Sequence, residues 1–394
     1  MSDSRISRVV DVFCRVVDNF GDIGVAYRLT RTLQALRPQW KFRLTVDNLL
    51  VFGQIEPRIS PHLDHQFLEN LEVIRWNDES SLILNPPPEI VIENFGSGWP
   101  HTFNSQLFDP QNPARRIIIN VDYLSAEDYA QEYHQLPSLS SLPQVKKFFF
   151  MPGFTPGTGG LLLGNYSPTT RCLPHSPQNL DQRISWAREL DLNLDLEDAQ
   201  LFWISLFTYE QDFLPLITSI KDMIPNAMVL VPAGRGSDHF FQDWEPAGRP
   251  FRTVKVPFQS QSSYDLMVSL CDFNVVRGED SLVRACVSGR PFLWHAYQQE
   301  SDYQRVKVDA LLERMKPFFF QNASWPAVKN LFLGFNHTQN LDLQREVPVD
   351  FSSLFGHWEE AKDGFRAFSE YLWENGDLGE KLIEFLEKQL LKNP

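Results

Sequence analysis

The stretch that most constrains this chain lies near its start, where the apolar run Val9 to Val17 gives way to Asp18-Asn19-Phe20-Gly21-Asp22-Ile23-Gly24. Downstream, Ile23, Ala26, Tyr27, Leu29, Leu33 and Leu36 recur near helical spacing, so the segment reads as strand, turn and helix. Open α/β sheets place ligands at such turns, because a helix N-terminus presents unpaired N–H groups and partial positive charge. The dinucleotide fingerprint G-x-G-x-x-G is absent, and two aspartates stand in its place. Carboxylates do not cradle a pyrophosphate; they suit a cation or a proton. An ordinary role as helix cap and first-turn acid, worth roughly 1 kcal/mol, fits Asp18 and Asp22 equally well.

At 394 residues the chain exceeds one ordinary domain, and an apolar share of 43% can fill two cores. The formal charge of -14 argues against a nucleic-acid partner, whose phosphates call for a basic stripe. An anionic ligand must then be met by local donors, while a basic acceptor suits the acidic balance. Cys14, Cys172, Cys271 and Cys286 form no C-x-x-C pair, and those in apolar strand or helix patterns read as small core residues of a reducing compartment. Met1 to Arg8 is polar, without the apolar core of a secretory signal, and no run approaches the ~20 apolar residues that cross a bilayer. A soluble cytoplasmic protein with no membrane partner is expected.

Strand candidates follow at Phe42 to Val46, Val73 to Trp76, Ile90 to Ile92, Ile117 to Val121 and Phe148 to Met151. Several are continuous apolar runs, the mark of strands buried on both faces of a parallel sheet. Two loops after such strands, Glu93 to Gly98 and Asp122 to Glu127, fall at the same carboxyl edge as Asp18. Turn residues, with Ser125 as an N-cap, account for them as readily. His62-Leu63-Asp64-His65 reads as a surface turn, not a zinc site. Pro152 to Gly160, dense in Gly, Pro and Thr, reads as a mobile loop or the beginning of a linker between domains, and the Pro and Ser around Pro168 to Pro177 favour the linker. Beyond it the alternation resumes, with helices at Asp181 to Leu190, Phe213 to Met223, Tyr264 to Cys271 and Ser281 to Ser288. The intervening strands are Leu201 to Phe207, Ala227 to Val231, Val254 to Val256, Phe273 to Val276 and Pro291 to Trp294. The chain therefore reads as α/β, with Rossmann-like domains at 1–170 and 178–357 and a helical segment at 358–394 free to pack on either domain.

A second polar turn, Arg277-Gly278-Glu279-Asp280-Ser281, again ends a buried strand and opens a helix. The N–H groups from Asp280 to Leu282, the Ser281 hydroxyl and the Arg277 guanidinium are donors of the kind a diphosphate needs. Glu279 and Asp280 would repel that anion unless turned aside, although a carboxylate also accepts from a sugar hydroxyl. An ordinary N-cap with a solvated acid explains the same residues. Phe258, Gln261 and Tyr264 could stack on and read a pyrimidine base, and Tyr209, after another strand, could donate to a phosphate. Each aromatic taken singly is more often core than ligand contact.

Together these segments resemble a known family. Asp18 to Gly24, Asp122 to Glu127, the turn Gly159-Gly160-Leu161, Arg277 to Ala285 and Gly289 to His295 are similar to the signatures of bacterial protein-arginine rhamnosyltransferases acting on translation elongation factor P. The likeness spans nearly the whole chain, apart from segments such as Phe240 to Pro250 and Asn336 to Val349. It implies a GT-B glycosyltransferase with two Rossmann-like domains facing a central cleft. The C-terminal domain would hold most of dTDP-β-L-rhamnose, and the acceptor arginine would approach the N-terminal domain. Inversion at the anomeric carbon is implied, without metal or other cofactor, the product being an elongation factor active in rescuing ribosomes stalled at polyproline. By matched position, Asp22 corresponds to the general base, Asp18 to its essential partner, and Glu279 to a further member of the catalytic set. Asn19, Phe20 and Gly21 accompany them on the substrate side. Arg277, Gly278, Glu279, Asp280 and Ser281 fall in the donor motif, Phe258 and Gln261 meet the thymine, and Tyr209 meets the phosphates. The sequence Phe207-Thr208-Tyr209-Glu210 departs from the family's Gly before this tyrosine, and Asp122 stands where glutamate is expected.

The chemistry is demanding, because a guanidinium has delocalised lone pairs and a pKa above ~12. Two carboxylates can hold it, orient one nitrogen and accept its proton. On the donor side, a helix N-terminus can stabilise the departing diphosphate where a metal otherwise would. A hinge near 169–178 is expected to let the domains close. Two alternatives remain open: a GT-B enzyme with another nucleotide sugar or acceptor, and a non-catalytic nucleotide-sugar-binding protein, which would have no use for the paired aspartates.

Overall fold

The computed structural model describes residues 7–17, 20–76, 82–164, 177–298, 302–319, 323–337, 339–340, 345–346 and 349–391. By packing, the chain divides into two units: residues 1–164 with 375–394, and residues 165–374. Asp18 and Asn19 lie outside the described residues, as do Cys172 and nearly all of the expected hinge at 169–178.

The first unit runs β1 (Val9–Cys14), α1 (Phe20–Leu36), β2 (Lys41–Val46), α2 (Leu49–Ile55), β3 (His65–Leu68), β4 (Leu71–Arg75) and β5 (Ile90–Asn94). It continues through α3 (Asn104–Leu107), β6 (Arg116–Val121), α4 (Tyr129–Tyr133), β7 (Pro137–Ser138) and β8 (Val145–Phe150). Its sheet has the order β3-β4-β2-β1-β5-β6-β8-β7. The inner six strands are parallel, while β3 and β7 flank them antiparallel. The strand order reverses between β1 and β5, which defines a switch point beside the start of α1. Helix α1 buries Ile23, Ala26, Leu29 and Leu33, the stripe that the spacing predicts.

One row of this sheet is charged. Neighbouring positions on β1 and β2 place Asp11 against Arg43, both almost wholly buried, with Arg43 Nη2 donating to Asp11 Oδ2 at 2.9 Å. Burial pushes the Asp11 carboxyl up to about 6 against the opposing pull of Arg43. His65, at the end of the segment read as a surface turn, enters β3 and meets Glu72 of β4 at 2.8 Å.

The second unit contains α5 (Pro177–Glu189), α6 (Leu196–Gln200), β9 (Phe202–Leu206), α7 (Leu214–Met223), β10 (Ala227–Pro232), α8 (Arg235–Trp244), β11 (Arg252–Val256) and α9 (Gln261–Leu270). There follow β12 (Phe273–Arg277), α10 (Glu279–Ser288), β13 (Phe292–His295), α11 (Tyr303–Met315), α12 (Trp325–Phe335), α13 (Phe351–Gly356) and α14 (Trp358–Glu374). Its main sheet has five parallel strands in the order β11-β10-β9-β12-β13, with a separate short antiparallel pair at 339–340 and 345–346, and the switch point lies between β9 and β12. Helix α10 starts after Gly278 and stops at Gly289, whose φ of 69° is the left-handed cap that glycine adopts without strain.

The closing helical segment is shared between the units. Helix α14 packs on α10, with Ser369 Oγ and Trp373 Nε1 donating to the Val287 carbonyl at 3.0 and 3.1 Å. Helix α15 (Leu378–Leu391) belongs to the first unit, where Leu382, Phe385 and Leu386 join the core beside α1. Asp377 anchors it, accepting the Gly379 N–H and the Leu163 N–H at 2.7 Å each.

Arg183 of α5, fully buried, donates to the Leu270 and Ala199 carbonyls at 2.7 and 2.9 Å and to Asp272 at 2.9 Å. Arg183→Met strands the Asp272 charge in the interior, so about 3–5 kcal/mol should be lost. Urea denaturation should show a lower midpoint for the second unit; an unchanged midpoint would contradict this role.

Candidate active site

Where the chain leaves β1 and enters α1, two successive backbone donors are received by two different acids. Val16 N–H donates to Asp47 Oδ1 at 2.9 Å, and Val17 N–H donates to Asp22 Oδ2 at 2.7 Å. Asp22 therefore does act as a first-turn acid that closes the turn. It is only 2% exposed, yet it lies among polar donors, with Oδ1 accepting the Tyr123 hydroxyl at 3.4 Å. That second bond is long, hence weak. Burial pushes the Cys14 thiol well above its usual range, and the charges of Asp22 and Asp47 push it further, which leaves it inert as a nucleophile. Phe20 and Gly21, half-buried, open α1 beside Asp22.

The loops after β5 and β6 reach the same edge. Asn94 Nδ2 donates to the Phe13 carbonyl at 3.0 Å, fastening β5 to β1 across the switch point. Glu93 is held by Gly98 N–H at 3.0 Å and Lys147 Nζ at 2.8 Å. The turn closed by Ser97 N–H on the Asn94 carbonyl has positive φ at both central residues, 58° at Phe95 and 60° at Gly96. Asn or Gly suits such a position; a phenylalanine there costs about 1–3 kcal/mol. Its ring lies flat on Tyr123, centroids 4.4 Å apart and planes 16° apart. Stacking of this kind contributes about 0.5–1.5 kcal/mol, so it offsets the strain only in part. Asp122 is half-buried and accepts the Tyr123 N–H at 2.8 Å.

In the second unit the polar groups converge on Arg277, the last residue of β12. Its guanidinium carbon lies 4.6 Å from the Phe207 ring and 4.7 Å from the Tyr209 ring, both carried by the loop after β9. The two strands that meet at the switch point thus contribute a cation and the aromatic faces that hold it. Space for this arrangement comes from glycine. A Cβ on Gly234 would sit 3.2 Å from Phe207, and one on Gly236 would sit 2.6 Å from the Thr208 carbonyl oxygen. Gly278 is the N-cap of α10 at φ 67°, with no side chain to offer the first-turn N–H groups. Its carbonyl accepts Trp294 Nε1 at 3.1 Å.

Two acids occupy that first turn, Glu279 and Asp280. Asp280 Oδ1 lies 3.7 Å from Arg284 Nε, one turn further along, and the fully buried Arg284 also faces Asp265 at 4.0 Å. Asp280 is thereby paired along the helix flank. Tyr264 of α9 meets Ser281, and desolvation raises its phenol well above the usual range. Phe258, 46% exposed, and Gln261, the first residue of α9, lie further along the same edge, after β11.

The sequence-predicted residues Tyr209, Arg277, Gly278 and Ser281 are brought to one end of the sheet. Sequence reasoning missed Phe207 as the second wall of the Arg277 clamp, the glycines at 234 and 236, and the pair His295 and Tyr297. Each lies at or shortly after the carboxyl end of a parallel strand, and that position was the available signal. His295 is 1% exposed and sits edge-on to Tyr209 and Phe335 at 5.3 and 5.2 Å. Burial, aided by the nearby charges of His337 and Arg277, pushes it down to about 3.

With this geometry in place, residues 10–387 match the family described as Elongation-Factor P (EF-P) rhamnosyltransferase EarP. The chain belongs to the EarP family. It is 35% identical over 77% of its length to a protein-arginine rhamnosyltransferase of Pseudomonas aeruginosa, covering 80% of that protein. To the protein-arginine rhamnosyltransferase of Shewanella oneidensis it is 31% identical over 98% of its length, covering the whole of that chain at 100%. A solved structure described as the basis for EarP-mediated arginine glycosylation of translation elongation factor EF-P superposes with a TM-score of 0.58 over 97% of this chain and 99% of that one. At 22% identity this likeness speaks for the fold alone, as does a TM-score of 0.51 to a glycosyltransferase from Rickettsia africae at 10% identity. The fold is therefore GT-B, two Rossmann-like units with C-terminal helices, and the EarP family makes the chain a glycosyltransferase. Among the described residues, no helix is long and apolar enough to cross a membrane.

His295 stays neutral in the folded chain and gains a proton on unfolding, so its contribution to stability is present above pH ~6.5 and is lost as pH falls toward 3. His295→Phe should flatten the dependence of the urea midpoint on pH across that window. An unchanged slope would contradict the assignment.

Proposed function

We propose that this EarP-family chain transfers rhamnose from dTDP-β-L-rhamnose to an arginine side chain of translation elongation factor P, with inversion and without a metal ion. The family match and the names of its relatives support the reaction class. The observation that carries the donor side is the Arg277 guanidinium, clamped between Phe207 and Tyr209 at the start of a helix whose N-cap is a glycine. The modified factor would be the form that relieves ribosomes stalled at polyproline.

Departure of dTDP breaks the bond from the anomeric carbon to the diphosphate oxygen and leaves an additional negative charge on that oxygen. Arg277, the first-turn N–H groups of α10 and the Ser281 hydroxyl are suited to receive it, and a clamped guanidinium has little reorganisation to undergo. Tyr209 donates to the phosphates, Phe258 and Gln261 meet the thymine, and Glu279 accepts from a rhamnose hydroxyl.

On the acceptor side, one guanidinium nitrogen forms the bond to the anomeric carbon and gives up a proton. Asp22 is the base. Its Oδ2 is fixed by Val17 N–H at 2.7 Å, which orients the carboxylate, and Oδ1, which accepts the Tyr123 hydroxyl at 3.4 Å, is the atom that receives the proton. Asp18 holds a second edge of the guanidinium, and Asn19, Phe20 and Gly21 bind on the same acceptor side. Two carboxylates on one guanidinium fix its plane, which converts a poor nucleophile into an aligned one.

Mass spectrometry of elongation factor P incubated with dTDP-rhamnose and the enzyme should find one added deoxyhexose on arginine; no addition would sink the proposal. Asp22→Asn should lower kcat by about 10²-fold or more with dTDP affinity retained, and transfer at the parental rate would remove Asp22 as the base. Arg277→Gln should weaken dTDP binding by about tenfold or more, read by calorimetry, since a charge-assisted contact to phosphate is lost. Unaltered affinity would move the diphosphate elsewhere.

A further inference from the structure

The stacking of Phe95 on Tyr123 has no part in the scheme above, yet it is a costly local arrangement at the first unit's carboxyl edge. Phe95 adopts a left-handed backbone, φ 58°, where a glycine or asparagine would rest without strain. The backbone around it is firmly held. Phe95 N–H donates to the Val121 carbonyl at 2.7 Å, continuing the β5 and β6 ladder, and Ser97 N–H closes the turn at 3.0 Å. The consequence is a phenyl ring laid parallel to Tyr123 at 4.4 Å and 16°, in place of the edge-on contact usual elsewhere in this chain. Tyr123 is 37% exposed, and Phe95 is half-buried. The Tyr123 hydroxyl reaches Asp22 Oδ1 at 3.4 Å. A flat aromatic double layer, partly exposed, is thus tethered at its polar corner to the carboxylate assigned as base.

Planar, weakly hydrated cations bind such surfaces well. A guanidinium stacks on an aromatic face and donates in its own plane, whereas an ammonium has no plane to match. We propose that the Phe95–Tyr123 stack is the platform on which the acceptor guanidinium lies, with its N–H groups directed along the platform edge to Asp22. This rests on the reading of the acceptor as arginine and deepens it: specificity for arginine over lysine comes from the aromatic layer as well as from the acids. The Tyr123 hydroxyl has a second task. It donates to Asp22 when the platform is empty, favouring the charged carboxylate, and is displaced from Oδ1 when the guanidinium arrives. Phe95 supports Tyr123 from below, so the strained turn is retained for its ring.

The test uses the full chain, elongation factor P and dTDP-rhamnose, with KM measured separately for acceptor and donor. Tyr123→Leu, and Phe95→Gly, which accepts the left-handed backbone, should each raise the acceptor KM by about tenfold or more while the donor KM stays within about twofold. Tyr123→Trp keeps a flat face and should hold the acceptor KM near the parental value. Tyr123→Phe keeps the face and loses the hydroxyl; removing a hydrogen bond to the charged form raises the carboxyl pKa, so the acid limb of kcat/KM should move to higher pH. Two results would overturn the platform: an acceptor KM unchanged in Tyr123→Leu and Phe95→Gly, or a rise that Tyr123→Trp fails to reverse. A fall in kcat or a raised donor KM without change in the acceptor KM would also overturn it, marking the pair as structural. If instead the parental chain puts no deoxyhexose on arginine, the reading of the acceptor fails first. Parental transfer with indifferent variants fails the platform alone.

Discussion

A parallel strand buried on both faces can present polar chemistry only where it ends. That constraint governs both halves of this chain. The inner strands of each sheet are nearly continuous apolar runs, so functional side chains are displaced into the short segments that follow them. Because every strand is followed by a helix or a turn, those segments also carry helix N-termini with their unpaired donors. The switch points decide which of the ends matter. In the first unit the ends of β1 and β5 are tied by Asn94 to the Phe13 carbonyl at 3.0 Å, beside Asp22. In the second, the ends of β9 and β12 supply the aromatic rings and the cation of the Arg277 clamp.

The two edges handle charge in opposite ways. The first gathers carboxylates, Asp22, Asp47 and Glu93, and orients each with backbone N–H groups, Glu93 being paired with Lys147 as well. The second offers donors and pairs one of its two first-turn acids elsewhere, Asp280 lying 3.7 Å from the buried Arg284. A cationic acceptor and an anionic leaving group are the ligands such a division suits. The acidic total of -14 disfavours a nucleotide diphosphate, and under the proposed function the local cation held between rings would offset it without altering that total.

The α/β alternation was legible because continuous apolar runs and glycine-bearing turns are local signals. Even the polar turns at Asp22 and Arg277 could be placed from residue order alone. What escaped were features set by contact between distant segments. Arg43 reads as an ordinary strand charge until β2 is paired with β1, when it becomes the buried partner of Asp11. Helix α12 is apolar through Leu331-Phe332-Leu333, so its periodicity was masked, and α8 begins in a glycine turn that reads as loop. The final helices gave no sign that α14 would join one unit and α15 the other. At the site, Phe95 was one residue in a polar loop; only its backbone conformation and the register of β5 against β6 reveal the stack with Tyr123.

The account depends most on the assignment of the nucleotide diphosphate to the β9 and β12 switch point. Crystals of the chain grown with dTDP test it directly. The diphosphate oxygens should lie within hydrogen-bond distance of the Arg277 guanidinium and of the first-turn N–H groups of α10, with the thymine against Phe258. A diphosphate seated instead on the turn between β1 and α1, among the carboxylates, would contradict it.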